Sequence, residues 1–485
     1  MRLGNAGLVA LAGLVGGSWL AGALAHVDDG RSVDHVAGTW IALAAAANAG
    51  TLYPPLVDDG FYGGTRFAPV PIVLQAAAAR LSGEYLVSAK TLALLLAVAL
   101  VGLTFVAIRR TGCGTPIALV LASSLLVSGT GLAVTTGIRH DALPLLLQLS
   151  AILLLARSCG RTTTVAAAAL CALAVASKLS AIWAPIAIVV WLVRRDRRAA
   201  ATFLGALAGG LLLSFGVFEA ISRGRLSDNL IGLTLTTPDR IGELGVQVGR
   251  LRLIASEGLG LLVLLLVLAI AATIVAVYSR RTTLAELAFG AACLVTGVVL
   301  LDPGAFVNHL LDVQVLALPL VGLLWREAGE TSARGLLVRS AVILACVVGI
   351  VASHREHVRP YADLRALVTG TTAPSDRLPR LAGVIADGDR VLSEDPSLPA
   401  LRGERPVVLD PYMLIAVLEK HPEAREELVA RIESGAFEKI VLLYVPSSAP
   451  GWYRNLHLGS TVAEAIESRY RPTVNADGYW LYEPR

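Results

Sequence analysis

The sequence predicts a polytopic α-helical membrane protein with a C-terminal extracytoplasmic α/β domain, and three observations favour this fold class. The 485 residues are 55% hydrophobic and only 16% charged, whereas a soluble protein carries about 25% charged residues. Long apolar runs alternate with short loops that are rich in arginine. After residue 353 the composition changes, and charged residues and prolines replace the apolar runs. Much of the chain must therefore face lipid.

The apolar runs can be counted as membrane spans by their length, because a helix needs about 20 mostly apolar residues to cross the hydrocarbon core. This criterion predicts about eleven spans. They lie near residues 5–25, 86–108, 115–134, 141–156, 163–177, 179–193, 200–220, 257–278, 284–301, 308–325 and 337–353.

The loop charges predict how these spans are oriented. With the N-terminus inside, the inner loops contain Arg109, Arg110 and the run 194–198, whereas the outer loops are poorer in basic residues. The positive-inside rule then gives a cytoplasmic N-terminus and an extracytoplasmic C-terminal domain. The abundance of Ala, Val, Leu and Gly, with Arg as nearly all of the basic residues, suggests a GC-rich bacterial genome, so the predicted location is the bacterial inner membrane. Residues 23–25 (Ala-Leu-Ala) resemble a signal-peptidase site, but the preceding apolar run is long and favours a retained first helix.

The net charge of +4 does not predict a nucleic-acid partner, because the basic residues are dispersed among loops and form no stripe. The five cysteines include no CxxC pair. We therefore expect neither a disulfide framework nor a structural zinc site.

The predicted division of the chain is a membrane domain over 1–353 and an α/β domain over 354–485. Two outer loops are long, at 26–85 and 221–256, and the first contains helix-forming stretches at 35–49 and 67–81 that we expect to lie along the interface. In the C-terminal domain the pattern predicts strands near 390–392, 406–409, 438–444 and 478–482, and helices over 411–434 and 461–469. The acidic run 393–395 is interpreted as a solvated turn, with acceptor binding or capping of an active site as the alternatives.

Acidic, basic and imidazole side chains gather at the predicted outer ends of the helices. A charge within a membrane helix costs about 2.5–3.5 kcal/mol, so such side chains tend to be retained for a reason. The candidate set is Asp28, Asp29, Asp34, Arg66, Lys90, Arg139, His140, Asp141, Lys178, His309 and Asp312. This mixture suits a site that holds a lipid phosphate while a carboxylate removes a proton.

Each member of the set also has an ordinary structural interpretation. An aspartate just outside a helix is often an N-cap, and Lys178 can extend toward the lipid headgroups. Arg139 and Asp141 can form a flanking charge pair. Asp312, three residues after His309 on one helix face, can make a hydrogen bond between helices. The hypothesis depends on the co-location of these residues.

Several stretches resemble the GT-C superfamily, which comprises membrane glycosyltransferases that use polyprenyl-phosphate sugars. The superfamily includes the protein O-mannosyltransferases and the lipid A aminoarabinose transferases. The similar stretches are VDDGRSVDHVAG (27–38), residues 49–90, GIRHDALPLLLQL (137–149), ASKLSAIWAP (176–185) and FVNHLLDVQVLALP (306–319). Residues 391–414 resemble the C-terminal tails of uncharacterised bacterial members.

The resemblance implies a catalytic aspartate in the first outer loop. Spacing from the turn at 50–53 favours Asp34, and closeness to the first helix favours Asp28 or Asp29. The other candidate residues would bind substrate. This chain has DDG where many members carry Asp-Glu, and GGTRFAP where the aminoarabinose enzymes carry Lys-Pro-Pro-Leu. Donor, acceptor and the use of a divalent cation (Mg or Mn) therefore stay open.

The implied activity is that of a hexosyl- or pentosyltransferase acting at the outer face of the membrane. The donor would be a polyprenyl-phosphate-linked sugar, and the acceptor a glycan, lipid or protein of the envelope. The competing hypotheses are a transporter or flippase of a lipid-linked sugar and a non-catalytic envelope scaffold.

Overall fold

The computed structural model describes residues 2–28, 30, 33–127, 130–131, 137–233, 252, 262–278, 282–302, 304–328, 332–352, 381, 383–476 and 478–485. These residues belong to two compact units. The first unit comprises Met1–Ala25, Ala93–Ser214 and Glu243–Ala373, and the second comprises His26–Leu92, Phe215–Gly242 and Pro374–Arg485. The first outer loop and the C-terminal segment thus share a unit. The predicted boundary at residue 353 concerns membrane topology and stays a prediction.

The main helices of the described residues are numbered in chain order. They are α1 (Arg2–Ala25), α2 (His35–Asn48), α3 (Pro69–Ser82), α4 (Tyr85–Arg110), α5 (Thr115–Ser123), α6 (Ala142–Arg157), α7 (Arg161–Ser177), α8 (Trp183–Arg195), α9 (Arg197–Ser222), α10 (Leu262–Tyr278), α11 (Leu284–Val299), α12 (Leu311–Glu327), α13 (Ala333–Ala352), α14 (Ser397–Leu401), α15 (Pro411–Lys420), α16 (Pro422–Glu433), α17 (Pro450–Asn455) and α18 (Ser460–Arg469).

Four helical segments among the described residues are long and apolar enough to cross a membrane. They are Ala6–Ala25, Tyr85–Arg110, Arg197–Ser222 and Val307–Glu327. Shorter apolar helices lie at Thr115–Leu126, Ala142–Arg157, Arg161–Ser177, Val263–Tyr278, Leu284–Val299 and Gly335–Cys346. All of these segments overlap predicted spans. The prediction of about eleven spans is not tested by them.

Small residues let the helices of the first unit approach one another closely. Ala151 on α6 and Ala167, Ala168 and Cys171 on α7 are completely buried in one apolar core. A Cβ built on Gly322 of α12 would lie 2.9 Å from Ile108 Cγ2 of α4. Such close backbone approach is typical of helix pairs in membranes, where dispersion contacts drive association.

The second unit contains a four-stranded sheet and a small hairpin. The hairpin strands are β1 (Val57–Asp58) and β2 (Phe61–Tyr62), and the sheet strands are β3 (Val391–Ser393), β4 (Lys439–Leu442), β5 (Tyr470–Ala476) and β6 (Tyr479–Pro484). The order in the sheet is β3-β4-β6-β5, with β3 and β4 parallel and the other pairs antiparallel. Leu428 of α16 and Ile466 of α18 complete a core with Ile440 and Leu442 of β4.

Three details differ from the predicted pattern of the C-terminal segment. The helix expected over 411–434 is two helices, because Pro422 lacks an N–H and restricts the residue before it. Residues 406–409 form a single parallel bridge, Val408 with Tyr62, in place of a strand. Strand β5 was not predicted, since it is an edge strand with mostly exposed side chains and contains Pro472.

Candidate functional site

The predicted site residues fall into both units, and each set is described by itself. Asp28, Asp34, Arg66 and Lys90 belong to the second unit. The first unit contains Arg139, His140, Asp141, Lys178, His309 and Asp312. Asp29 lies outside the described residues.

Asp34 is held in place by the helix that it begins. The residue is the N-cap of α2, with extended backbone angles (φ −129°, ψ 177°), and its Oδ1 accepts a hydrogen bond from Ala37 N at 2.9 Å. An aspartate suits this position because its side chain satisfies a helix N–H and its charge complements the helix dipole. Asp34 is half-buried, whereas Asp28 is exposed. Of these two described aspartates, Asp34 is the one that caps a helix.

Asp395 lies against the first turns of α2. Its Oδ1 accepts from Ser397 N (2.9 Å) and Ser397 Oγ (2.6 Å), and its Oδ2 accepts from Tyr479 OH (2.9 Å). A Cβ built on Gly38 would collide with this carboxylate and would lie 2.8 Å from Ser397 N. Burial raises the pKa of Asp395, and the nearby charge of Asp34 raises it further. The segment after β3 therefore closes over the turn that carries Asp34.

Glu394 is a buried carboxylate with four donors. It accepts hydrogen bonds from Leu443 N (2.7 Å), Trp452 Nε1 (2.7 Å) and Tyr453 OH (2.9 Å), and it pairs with His457 Nδ1 at 2.6 Å. Burial acts to raise the pKa of Glu394, but the bond and charge of His457 and the other donors outweigh it, so the pKa is lowered. Glu394 is thus ionised at neutral pH, and His457 donates to it from Nδ1.

Aromatic rings connect this carboxylate with α2. The rings of His457 and Trp452 pack with their centroids 4.3 Å apart. His35, which directly follows Asp34, meets His457 edge-on at 4.5 Å and Trp452 edge-on at 5.9 Å. We call Asp34, His35, Glu394, Asp395, His457 and Tyr479 the Asp34 cluster.

The interpretation of residues 393–395 as a solvated turn was wrong. Ser393, Glu394 and Asp395 have exposed fractions of 3%, 1% and 0%. Ser397 is a local donor to Asp395. The donors to Glu394, and Tyr479 as a donor to Asp395, come from α17 and the strands β4 and β6 or the residues beside them, which lie far away in the sequence. A single sequence does not reveal those partners, although the apolar strand before the run and the proline after it fit a buried turn.

Arg66 and Lys90 are also fixed by contacts within the second unit. The Arg66 guanidinium lies 5.0 Å from the centre of the Tyr412 ring. Next to it, Thr65 Oγ1 donates to Asp410 Oδ2 at 3.2 Å. Burial raises the pKa of Asp410 to about 6, although the positive charge of Arg66 opposes this shift. Lys90 is buried and donates from Nζ to the carbonyl of His26 at 2.7 Å.

The contact between Gly38 and Asp395 allows a direct test of this packing. We expect Gly38→Ala to lower the free energy of unfolding by about 1–3 kcal/mol, because the added methyl group has no space. Gly13→Ala is the matched control, since a Cβ there has nothing within 4 Å and alanine stabilises an open helical site. Thermal unfolding of both variants in detergent would measure the difference. Equal melting temperatures would contradict the described contact.

The first unit contains a second polar cluster, formed by Asp141, Lys178, Trp183, Asn308, His309 and Asp312, which we call the Asp141 cluster. Asp141 Oδ1 pairs with Lys178 Nζ at 2.5 Å and accepts from Asn308 Nδ2 at 3.0 Å. Trp183 Nε1 donates to Asp312 Oδ1 at 2.9 Å, so Asp312 bonds between helices. His309 lies in the turn Val307–Leu310 that precedes α12. Of the neighbouring predicted residues, His140 is buried and Arg139 is half-buried.

With the fold and the two polar clusters described, the chain can be compared with known proteins. No protein-family model and no curated protein matches the sequence. Solved structures do match it. ArnT from Cupriavidus metallidurans, bound to undecaprenyl phosphate, is 13% identical with a TM-score of 0.57 over 98% of this chain and 97% of that chain. The apo state of that protein is 12% identical, with a TM-score of 0.53 over 92% of both chains. An Archaeoglobus fulgidus oligosaccharyltransferase tethered with an acceptor peptide gives 12% identity and a TM-score of 0.50 over 98% of this chain and 74% of that chain.

The chain has the GT-C fold. The resemblance drawn from the sequence is therefore confirmed at the level of fold, over nearly the whole length. The sequence did not single out Asn308 and Trp183 as partners of the predicted carboxylates. It also did not reveal that His457 packs against His35, the residue after Asp34.

The sequence did not decide whether the protein uses a divalent cation (Mg or Mn) as a cofactor. The described residues contain no group of three or more histidine, cysteine or acidic side chains arranged to hold a metal ion. Asp395 and Glu394 have their oxygens directed to protein donors. Use of Mg or Mn stays a prediction for experiment.

Proposed function

We propose that this protein is a membrane glycosyltransferase that transfers a sugar from a polyprenyl-phosphate donor to an envelope glycan, lipid or protein. The reaction takes place at the outer face of the bacterial cell membrane, with the N-terminus in the cytoplasm. The observation that carries the proposal is the similarity of this fold to that of ArnT, which covers 98% of this chain. The ArnT structure contains bound undecaprenyl phosphate.

Asp34 is the general base in this proposal. It takes a proton from an acceptor hydroxyl, the hydroxyl oxygen attacks the anomeric carbon, and the bond from that carbon to the phosphate oxygen breaks. The leaving group departs as polyprenyl phosphate, whose charge needs no strong general acid. Support comes from the position of Asp34, which is half-buried and whose Oδ1 is held by Ala37 N at the start of α2. A base held in one orientation is effective because proton transfer depends on geometry.

Positive charge near the phosphate is the second requirement of this reaction. Lys90 and Arg66 belong to the same unit as Asp34, and we assign them to the donor phosphate. Arg139, in the first unit, stays a predicted substrate-binding residue. Lys178 is bound to Asp141, so its charge is offset. We therefore assign the Asp141 cluster to holding the helices of the first unit together, and not to direct neutralisation of phosphate.

The deciding experiment is sugar transfer by the purified, reconstituted protein. Radiolabelled pentosyl and hexosyl polyprenyl phosphates would be supplied as donors with an envelope extract as acceptor, with added Mg or Mn in one arm and EDTA in another. We expect label in the acceptor fraction from at least one donor. If no donor is consumed and labelled lipid-linked sugar crosses the bilayer of proteoliposomes, the protein is a transporter and the proposal is wrong.

A further inference from the structure

We propose that Glu394 and His457 are positioning residues for Asp34, acting through the ring of His35. This inference rests on the proposed function, and it gives the C-terminal segment a part in the reaction. Glu394 fixes His457, His457 and Trp452 pack edge-on against His35, and His35 sets the turn in which Asp34 lies. All of these residues belong to one compact unit.

The pair has the arrangement of a carboxylate that orients an imidazole. Glu394 has no exposed side-chain surface and His457 has 2%. A bond from Nδ1 to a carboxylate fixes the orientation of the ring and its tautomer. Three further donors hold the carboxylate itself, so neither group can turn.

Packing alone does not account for this choice of residues. Burying an ionised carboxylate is unfavourable, and well-packed apolar residues often serve stability as well or better. A buried carboxylate–histidine pair beside an ordinary helix end would therefore be a poor way to fill space. Here the imidazole of His457 packs against His35, the residue after Asp34. The carboxylate of Asp34 is fixed by the hydrogen bond from Ala37 N. Orientation of the Asp34 turn explains why the pair is present.

The position of the helix end can be measured without any activity. His457→Phe keeps a ring but removes the donor to Glu394. Tyr453→Phe is the matched control, because it removes another donor to the same carboxylate, whereas the rings that pack against His35 are those of Trp452 and His457. In hydrogen–deuterium exchange, we expect amides 35–38 to exchange faster in His457→Phe and to match the wild type in Tyr453→Phe. Equal exchange of these amides in both variants would overturn the inference, whether or not transfer has been detected.

The second measurement is a kinetic coupling test. A small misplacement of a catalytic group can lower the rate by up to about 10²-fold, so we expect His457→Phe to lower kcat by about 10-fold or more, with the KM for the lipid donor within twofold. If His457 acts through His35, the double variant His35→Ala/His457→Phe should have the kcat of His35→Ala alone. Independent, multiplicative losses, or a change confined to KM, would show that His457 does not act through His35. Loss of transfer in Asp34→Asn with no effect of His457→Phe would leave the proposed function intact and reject this inference.

Discussion

Replacement of Asp34 by asparagine is expected to lower the rate of sugar transfer by about 10²- to 10⁴-fold, the contribution of a general base. Asparagine keeps an oxygen that accepts from Ala37 N, and it is as good an N-cap as aspartate. The variant should therefore fold, and its loss should lie in kcat. Steady-state transfer from the best polyprenyl-phosphate donor, measured with thermal unfolding of the same preparation, separates the two effects.

Asp59→Asn is the matched control for this variant. It removes the same charge from the same loop, at a residue that is exposed. Asparagine also tolerates the φ of 47° at this position. Transfer should therefore stay within twofold of the wild type. The variants Asp28→Asn and Asp29→Asn test the alternatives left by the sequence. Transfer that survives in Asp34→Asn and disappears in one of these two would move the base to that aspartate.

Replacement of Lys178 by methionine is expected to be the most destabilising single change in the first unit. The Asp141 side chain is 11% exposed and the Lys178 side chain 21%, so removal of the cation leaves a largely buried carboxylate with only Asn308 Nδ2 as its described donor. Breaking a buried pair in this way costs about 3–5 kcal/mol. Thermal unfolding in detergent would register this loss as a large fall in Tm.

The double variant Lys178→Met/Asp141→Asn is the informative companion, because it removes both charges and should recover much of the lost stability. Glu438→Gln is the control for an exposed pair. Its partner is Arg390 at 2.7 Å, and both side chains are well exposed, so its removal should leave Tm within the scatter of the wild type. A double variant no more stable than Lys178→Met would contradict a buried ion pair.

The sequence predicted the helices well, because apolar runs and prolines are local signals. It placed α2, for example, within one residue of its observed end. It also singled out Asp34, Asp141 and Lys178, since charges stand out against an apolar background. It could not predict the environment of Asp34, because Asp395, His457 and Tyr479 come from the other end of the chain. Partners so far apart in sequence leave no periodic pattern, and the run 393–395 looks like surface until they are known.

The pairing of the first outer loop with the C-terminal segment also determines when this unit can fold. Thr65 and Asp410 are 345 residues apart in the chain, and the hairpin strand β2 bridges to Val408. At about 5–20 residues per second, the ribosome needs roughly 17–70 s to produce the second partner after the first. During that interval the newly made loop lacks Val408 as the partner of Tyr62 and Asp410 as the partner of Thr65. The loop that carries the proposed base is therefore among the first segments synthesised and among the last to reach its final structure.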